Sequence, residues 1–318
     1  MSSFRQTVGT LTGLLLASSI PLLHAQVPAG NQINQAVPAG ANQVANQAAA
    51  TPQLPFPALT PQQQQEIDQH LLQWQARSQG TKTLETKYVR WHFDQQKAAA
   101  GVPAHRAEGQ IKYSSPDKGL FRDDSIVFYT GMKEQKPQFA GDKNRPGDYW
   151  VCNGREVVQY DRGKQKCTVL TLPAEMQGTQ IFNSPLPFVF NLDAAQIKQR
   201  FWVRSLPSPK PNTILIEAWP RKQNDRAQYK LVQVALNPNY DIEALIIYAP
   251  NFNVRTAQNY DQYEFSKPKR NSITAGLRQN WLGNFIPQQP PKGWEVVREN
   301  FAGPPQVAGQ PPAQQPIR

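Results

Sequence analysis

The sequence predicts a mainly β domain of the α+β class, and three observations carry that expectation. The first is Tyr149 to Pro173, YWVCNGREVVQYDRGKQKCTVLTLP, which reads as a three-stranded antiparallel meander. Asn153 and Gly154 stand between two apolar runs as the pair that most readily takes the two positive φ values of a type I′ turn. A second reversal is expected at Arg162 to Gln165, with Gly163 turning left-handed. The second observation is that from Leu84 onward one strand-like run follows another, each bounded by turn residues. The third is that Tyr149, Trp150, Val151 and Cys152 are apolar at every position instead of alternating. A strand apolar on both faces needs a cover on its second side, either a helix or a ligand.

In chain order, residues 1–25 read as a secretory signal: one charge at Arg5, an apolar stretch from Leu11 to Leu23, and small Ala25 before Gln26. The apolar stretch is interrupted by Thr12, Gly13, Ser18, Ser19 and Pro21 and falls short of the ~20 residues a bilayer span needs. The mature chain is thus expected to be exported to the periplasm or cell envelope. Residues 26–59 carry no charge and repeat VPAGNQINQ as VPAGANQVANQ, the composition of a flexible linker. Residues 302–318, rich in Pro and Gln, read as a disordered tail, which leaves 60–301 as one folded domain.

That domain opens with a helix. Thr60 suits the N-cap, Pro61 the first turn, and Gln63 completes a capping box, after which Ile67, Leu71 and Trp74 recur at helical spacing until Gly80. Strands follow: LETKYVRWHF, with Val89, Trp91 and Phe93 on one face; GQIKY, with Gly109, Ile111 and Tyr113 together; and LFRDDSIVFY after the Pro116 turn. Residues 133–148, rich in Lys, Pro and Gly, read as a surface loop. Beyond the meander come an apolar plug, SPLPFVFN, and an amphipathic helix with Asp193 as N-cap and Ile197 and Phe201 on one side. Strands resume as FWVRSL, ILIEAW, YKLVQVAL, IEALIIYA and YDQYEF, and the chain closes with a short helix near Trp281 and a strand from Trp294.

A net charge of +11, or +10 once Arg5 is removed with the signal, implies anionic partners. No nucleic-acid motif is present, so an anionic envelope surface or lipid head group fits better. Catalysis has no visible candidate. The chain holds no Gly-x-Ser-x-Gly elbow, no phosphate loop and no Cys-x-x-Cys pair, and Asp123 and Asp124 are adjacent on a strand, facing opposite ways. His70, His92 and His105 show no spacing that suggests shared metal ligation, so no cofactor and no metal site is expected. Cys152 and Cys167 fall at opposite ends of the meander, about 20 Å apart at ~3.3 Å per residue, beyond the ~7 Å that a disulfide spans. No disulfide is expected.

These residues also carry a family resemblance. Gly109-x-Ile111-x-Tyr113-x-x-Pro116 followed by Phe121-Arg122, then Asn153-Gly154 with Tyr160-Asp161, and the plug at Pro185 to Phe190 are similar to motifs of the outer-membrane lipoprotein carrier family, of LolA and LolB type. The resemblance covers most of the folded part and implies an open, curved antiparallel sheet or incomplete barrel wrapped around a lid of short helices, with an apolar cavity for acyl chains between them. It departs from the family at Ser115, where the carriers have an Arg that holds the lid shut. On this reading the chain is a monomeric, non-catalytic binder of lipid or lipoprotein acyl chains, with Trp150, Leu186, Phe188, Phe190, Trp219 and Tyr248 lining cavity and lid. The alternative is a structural or adhesion module of the envelope, in which the same residues form a closed core and the basic surface binds anions.

Overall fold

A computed structural model describes residues 54–172, 192–273 and 277–300. The expected signal segment, most of the linker, the tail and the plug with Leu186, Phe188 and Phe190 lie outside the described residues.

Helix α1 (Pro61–Gln79) forms as its sequence dictates. The Thr60 hydroxyl accepts from the Gln63 amide at 3.3 Å, the Gln63 side chain accepts from the Thr60 amide at 2.9 Å, and Gly80 caps the far end. Ile67, Leu71 and Trp74 are its buried stripe. Packing starts ahead of the helix, in the stretch expected to be linker: Phe56 is 9% exposed and Leu59 rests on the main core.

Among the described residues, fourteen strands make one sheet: β1 (Thr83–Asp94), β2 (His105–Ser114), β3 (Lys118–Lys133), β4 (Lys136–Ala140), β5 (Tyr149–Cys152), β6 (Glu156–Asp161), β7 (Lys166–Thr171), β8 (Phe201–Leu206), β9 (Ile214–Pro220), β10 (Leu231–Leu236), β11 (Ile242–Tyr248), β12 (Asn259–Phe265), β13 (Lys269–Arg270) and β14 (Glu295–Asn300). Their order is β14-β7-β6-β5-β3-β2-β1-β12-β11-β10-β9-β8, with β4 added to β3 and β13 to β1. The sheet is open, running from β14 at one end to β8 at the other. Helix α2 (Ala194–Arg200) begins at Asp193, whose carboxylate accepts from the Gln196 amide at 2.8 Å, and buries Ala194 and Ile197. Phe201, expected beside Ile197, starts β8 and is fully buried.

A single apolar cluster runs across eight neighbouring strands on one face, from Phe121 on β3 through Ile111, Tyr88, Tyr263, Leu245, Val232 and Ile216 to Phe201 on β8, with α1 and α2 packed on it. The meander's second side is covered as its doubly apolar strand requires. Helix α4 (Arg278–Leu282) and the 3-10 turn Gly283–Phe285 press Trp281 and Phe285 onto Leu120 and Val151, while Trp150 faces the main core.

Several expectations are corrected. Residues 133–148 are not all loop: Glu134 and Gln135, at φ 49° and 61°, turn β3 into β4 with Lys133 opposite Lys136. Two positive φ values are what a two-residue hairpin needs, and here neither central residue is Gly or Asn, so the composition hid the turn. At the meander's first turn positive φ falls on Gly154 alone (95°), with the Asn153 amide bonded to the Glu156 carbonyl at 3.2 Å. One positive φ rules out the type I′ turn, which needs two. The Asn153 side chain instead accepts from the Arg155 and Glu156 amides at 2.8 and 2.9 Å, and a Cβ on Gly154 would strike the Asp117 carboxylate. In the second turn Gln165 (φ 52°), not Gly163, is left-handed. The edge pair β14–β7 is parallel. Parallel neighbours require a long crossover, and here the six strands β8 to β13 and helix α4 intervene. A short helix, α3 (Gln223–Arg226), precedes β10 inside the run read as loop and strand.

Candidate functional site

The core face of β1 is set by its even residues, Leu84, Tyr88 and Arg90, whereas Val89, Trp91 and Phe93 share the other, half-exposed face. The cross-strand neighbours of these even residues build two joined regions, one aromatic and one polar.

The aromatic region is a ladder of rings across four strands. Trp150 stacks on Phe121 (5.8 Å between centroids), Phe121 on Tyr88 (4.9 Å), and Tyr88 tilts against Tyr263 (5.8 Å). Gly109 makes this possible. A Cβ there would come within 2.5 Å of the Tyr88 hydroxyl and 2.2 Å of the Arg122 carbonyl oxygen, so only a residue with no side chain lets the Tyr88 ring lie across β2.

The polar region begins where that ring ends. The Tyr88 hydroxyl donates to Asp123 Oδ1 at 2.6 Å, Arg90 Nη2 to Asp123 Oδ2 at 2.6 Å and Arg90 Nη1 to Asp148 at 2.8 Å, and the Asp148 amide also donates to Asp123. Asp123 is fully buried while Asp124 points to the other face, against Arg122, as adjacent strand residues must. Burial works against the Arg90 charge, but Tyr263, Asp123 and Asp148 outweigh it and its pKa is raised. Burial also raises the pKa of Tyr88, beside Asp123, so its hydroxyl keeps the proton it donates.

One residue pair further along the same face, the antiparallel register sets Asp261 on β12, His92 on β1 and His105 on β2 in a single row. His92 Nδ1 lies 3.0 Å from Asp261 Oδ1, and the two imidazoles stack at 4.6 Å. His105, which precedes the expected GQIKY strand, is the first residue of β2. Sequence reasoning missed this row because a loop separates the two histidines along the chain. The signal available was that His92 and His105 flank a hairpin of two long strands.

Of the residues expected to line a cavity, Trp150 is on the core face. Trp219 and Tyr248 are on the opposite one: Trp219 Nε1 donates to Glu217 at 2.8 Å, and Tyr248 donates to Gln233 at 3.0 Å and packs edge-on against Phe252. They alternate with core residues Ala218 and Ile247. The structure therefore does not bring these three together, and Leu186, Phe188 and Phe190 lie outside the described residues. An aromatic side chain marks a strand without marking its face.

The open end of the sheet holds an apolar cleft of about 400 Å³ between β8, the start of α1, the end of α2 and the chain ahead of α1. Leu54, Phe56, Leu59, Phe201, Trp202 and Val203 line it, with Lys198 and Arg221 among its polar residues. No helix among the described residues is long and apolar enough to cross a membrane.

No protein-family model matches the chain, and no curated protein sequence does. Among solved structures, the chain is similar to an uncharacterised conserved protein of Thermus thermophilus at 8% identity and a TM-score of 0.38, over 74% of this chain and 99% of that one. It is also similar to a LolA superfamily protein of Nitrosomonas europaea (10%, TM-score 0.31, 69% and 97%). A third is the lipoprotein LppX of Mycobacterium tuberculosis (9%, TM-score 0.33, 66% and 98%). Likeness at these scores carries no argument about function, which rests on the chain's own residues.

Proposed function

We propose that this domain is an exported, non-catalytic binding protein of the cell envelope that takes the acyl chain of an anionic lipid or lipoprotein. The observation that carries the reading is the cleft at the β8 edge. Its volume of about 400 Å³ falls in the range of small-molecule sites, its walls are aliphatic and aromatic, and Lys198 and Arg221 stand beside them. Each methylene taken into such a space contributes about 0.8 kcal/mol, and the two cations favour a carboxylate or phosphate at the chain's head. The net charge of +11 acts in the same direction at longer range.

The test is displacement of a fluorescent fatty acid from the purified mature chain, paired with solvent extraction and mass spectrometry of any lipid that copurifies. Leu54→Glu puts a carboxylate into the cleft at a residue 46% exposed, so it should weaken probe binding while leaving thermal unfolding within a degree or two of wild type. If the wild-type chain neither binds the probe nor releases lipid, the reading fails and the closed-core envelope module takes its place.

A further inference from the structure

We propose that His92, His105 and Asp261 form a binding site for one divalent transition-metal ion, with zinc the ion whose ligand chemistry fits best. Each is the direct cross-strand partner of the next, so the three side chains leave hydrogen-bonded strands on one face, where opposite Cβ atoms lie ~4.5–5.5 Å apart. Their ligand atoms already lie within 4.8 Å of one another. A tetrahedral zinc site with bonds of ~2.0–2.1 Å sets its donors about 3.3 Å apart. The His92–Asp261 pair, at 3.0 Å, is close to that spacing as it stands. What remains is a rotation of the His105 ring out of its stack, a soft torsion between sp³ and sp² atoms.

The other charges near the row are paired, Asp94 with Lys97 and Arg90 with Asp123 and Asp148, which leaves Asp261 as the carboxylate facing the imidazoles. Phe128 on β3, opposite His105, closes the row on the side away from Asp261. Two imidazoles and one carboxylate suit zinc, copper, nickel or ferrous iron over the oxygen-seeking calcium and magnesium. Three protein ligands leave a fourth position for water, as in open sites, and all three residues are only half-buried, so an ion can enter and exchange.

The inference is independent of the lipid reading, and the experiment uses the exported chain after chelation, titrated with zinc alone in a calorimeter. One zinc per chain is expected, and cobalt in its place should give the intense visible bands of a four-coordinate site. Even partners that merely support a metal ligand cost ~10–100-fold in affinity when removed, so His92→Gln and Asp261→Asn should each weaken binding at least about tenfold. His70→Gln, on α1, should leave it unchanged. Should a variant fold poorly, zinc protection of wild-type His92 and His105 from diethyl pyrocarbonate, read by peptide mass, reports the same contact. No saturable zinc binding, affinity unchanged in both ligand variants, or protection at His70 instead would overturn the proposal and leave the row a packing feature of the sheet.

Discussion

Asp123→Ala tests whether the polar end of the core is held by one carboxylate. The substitution removes the acceptor of three donors at once: the Tyr88 hydroxyl at 2.6 Å, Arg90 Nη2 at 2.6 Å and the Asp148 amide at 2.8 Å. Stripping one partner from a buried ion pair costs about 3–5 kcal/mol, mostly because the other charge is left buried. Here Arg90 is 10% exposed and Asp123 is 0% exposed, which argues for the full range, but Asp148, 58% exposed, still faces Arg90 and offsets part of the loss. The expectation is therefore about 3 kcal/mol, a large share of the ~5–15 kcal/mol by which a domain is stable. Equilibrium urea unfolding should show it as a lower midpoint with an unchanged slope. The double variant Arg90→Met with Asp123→Leu, which removes both charges and keeps apolar volume, should recover more than half of the loss, because an apolar pair of similar size replaces a buried ion pair at little or no cost. A loss below about 1 kcal/mol for Asp123→Ala, or a double variant worse than the single, would refute this account of the cluster.

Gly109→Ala should destabilise by roughly 1–3 kcal/mol, since the new methyl meets the Arg122 carbonyl oxygen at 2.2 Å and displaces the Tyr88 ring; an unchanged urea midpoint would show that the ladder does not depend on that gap. Cys152 and Cys167 lie on strands separated by β6, opposite Val157 and Tyr160, which at ~4.8 Å per strand and ~3.3 Å per residue puts them about 14 Å apart. Thiol titration should accordingly count two free thiols after unfolding. Neither should react in the native chain at pH 8, where burial holds Cys152 at about 11. Although burial opposes it, the hydrogen bonds from Arg77 and Arg270 hold Asp241 below its ordinary 3.8. A depressed carboxyl contributes stability that is complete above its unfolded value and is lost as pH falls through the folded one. The urea midpoint should therefore drop below about pH 4, and Asp241→Asn should lower it at pH 7 while flattening the acid limb.

Local features were legible because their causes are local. The Thr60–Gln63 capping box, the Ile67–Leu71–Trp74 stripe, the Asp193 cap and the strand runs each follow from contacts within a few residues, and all formed where expected. The cover over Val151 was legible too, from a strand apolar on both faces, although that pattern did not say whether a helix or a ligand would supply it. Turn details failed where a residue other than Gly took the positive φ, as at Glu134, Gln135 and Gln165, and at Asn153, which does not take the positive φ expected of it.

The sequence by itself thus determined a mainly β chain opened by a capped helix, the order of its strands along the chain, and the opposite facing of Asp123 and Asp124. Which face of each strand meets the core was decided only in the tertiary structure. Alternation has period two and belongs to one strand, whereas the choice of face depends on what the neighbouring strands present. On β1 the inward face took Arg90 over Trp91 because Asp123, two strands away, neutralises it. The same non-local register brought Asp261 across 169 residues to His92 by pairing β12 with β1, and moved Trp219 and Tyr248 away from Trp150.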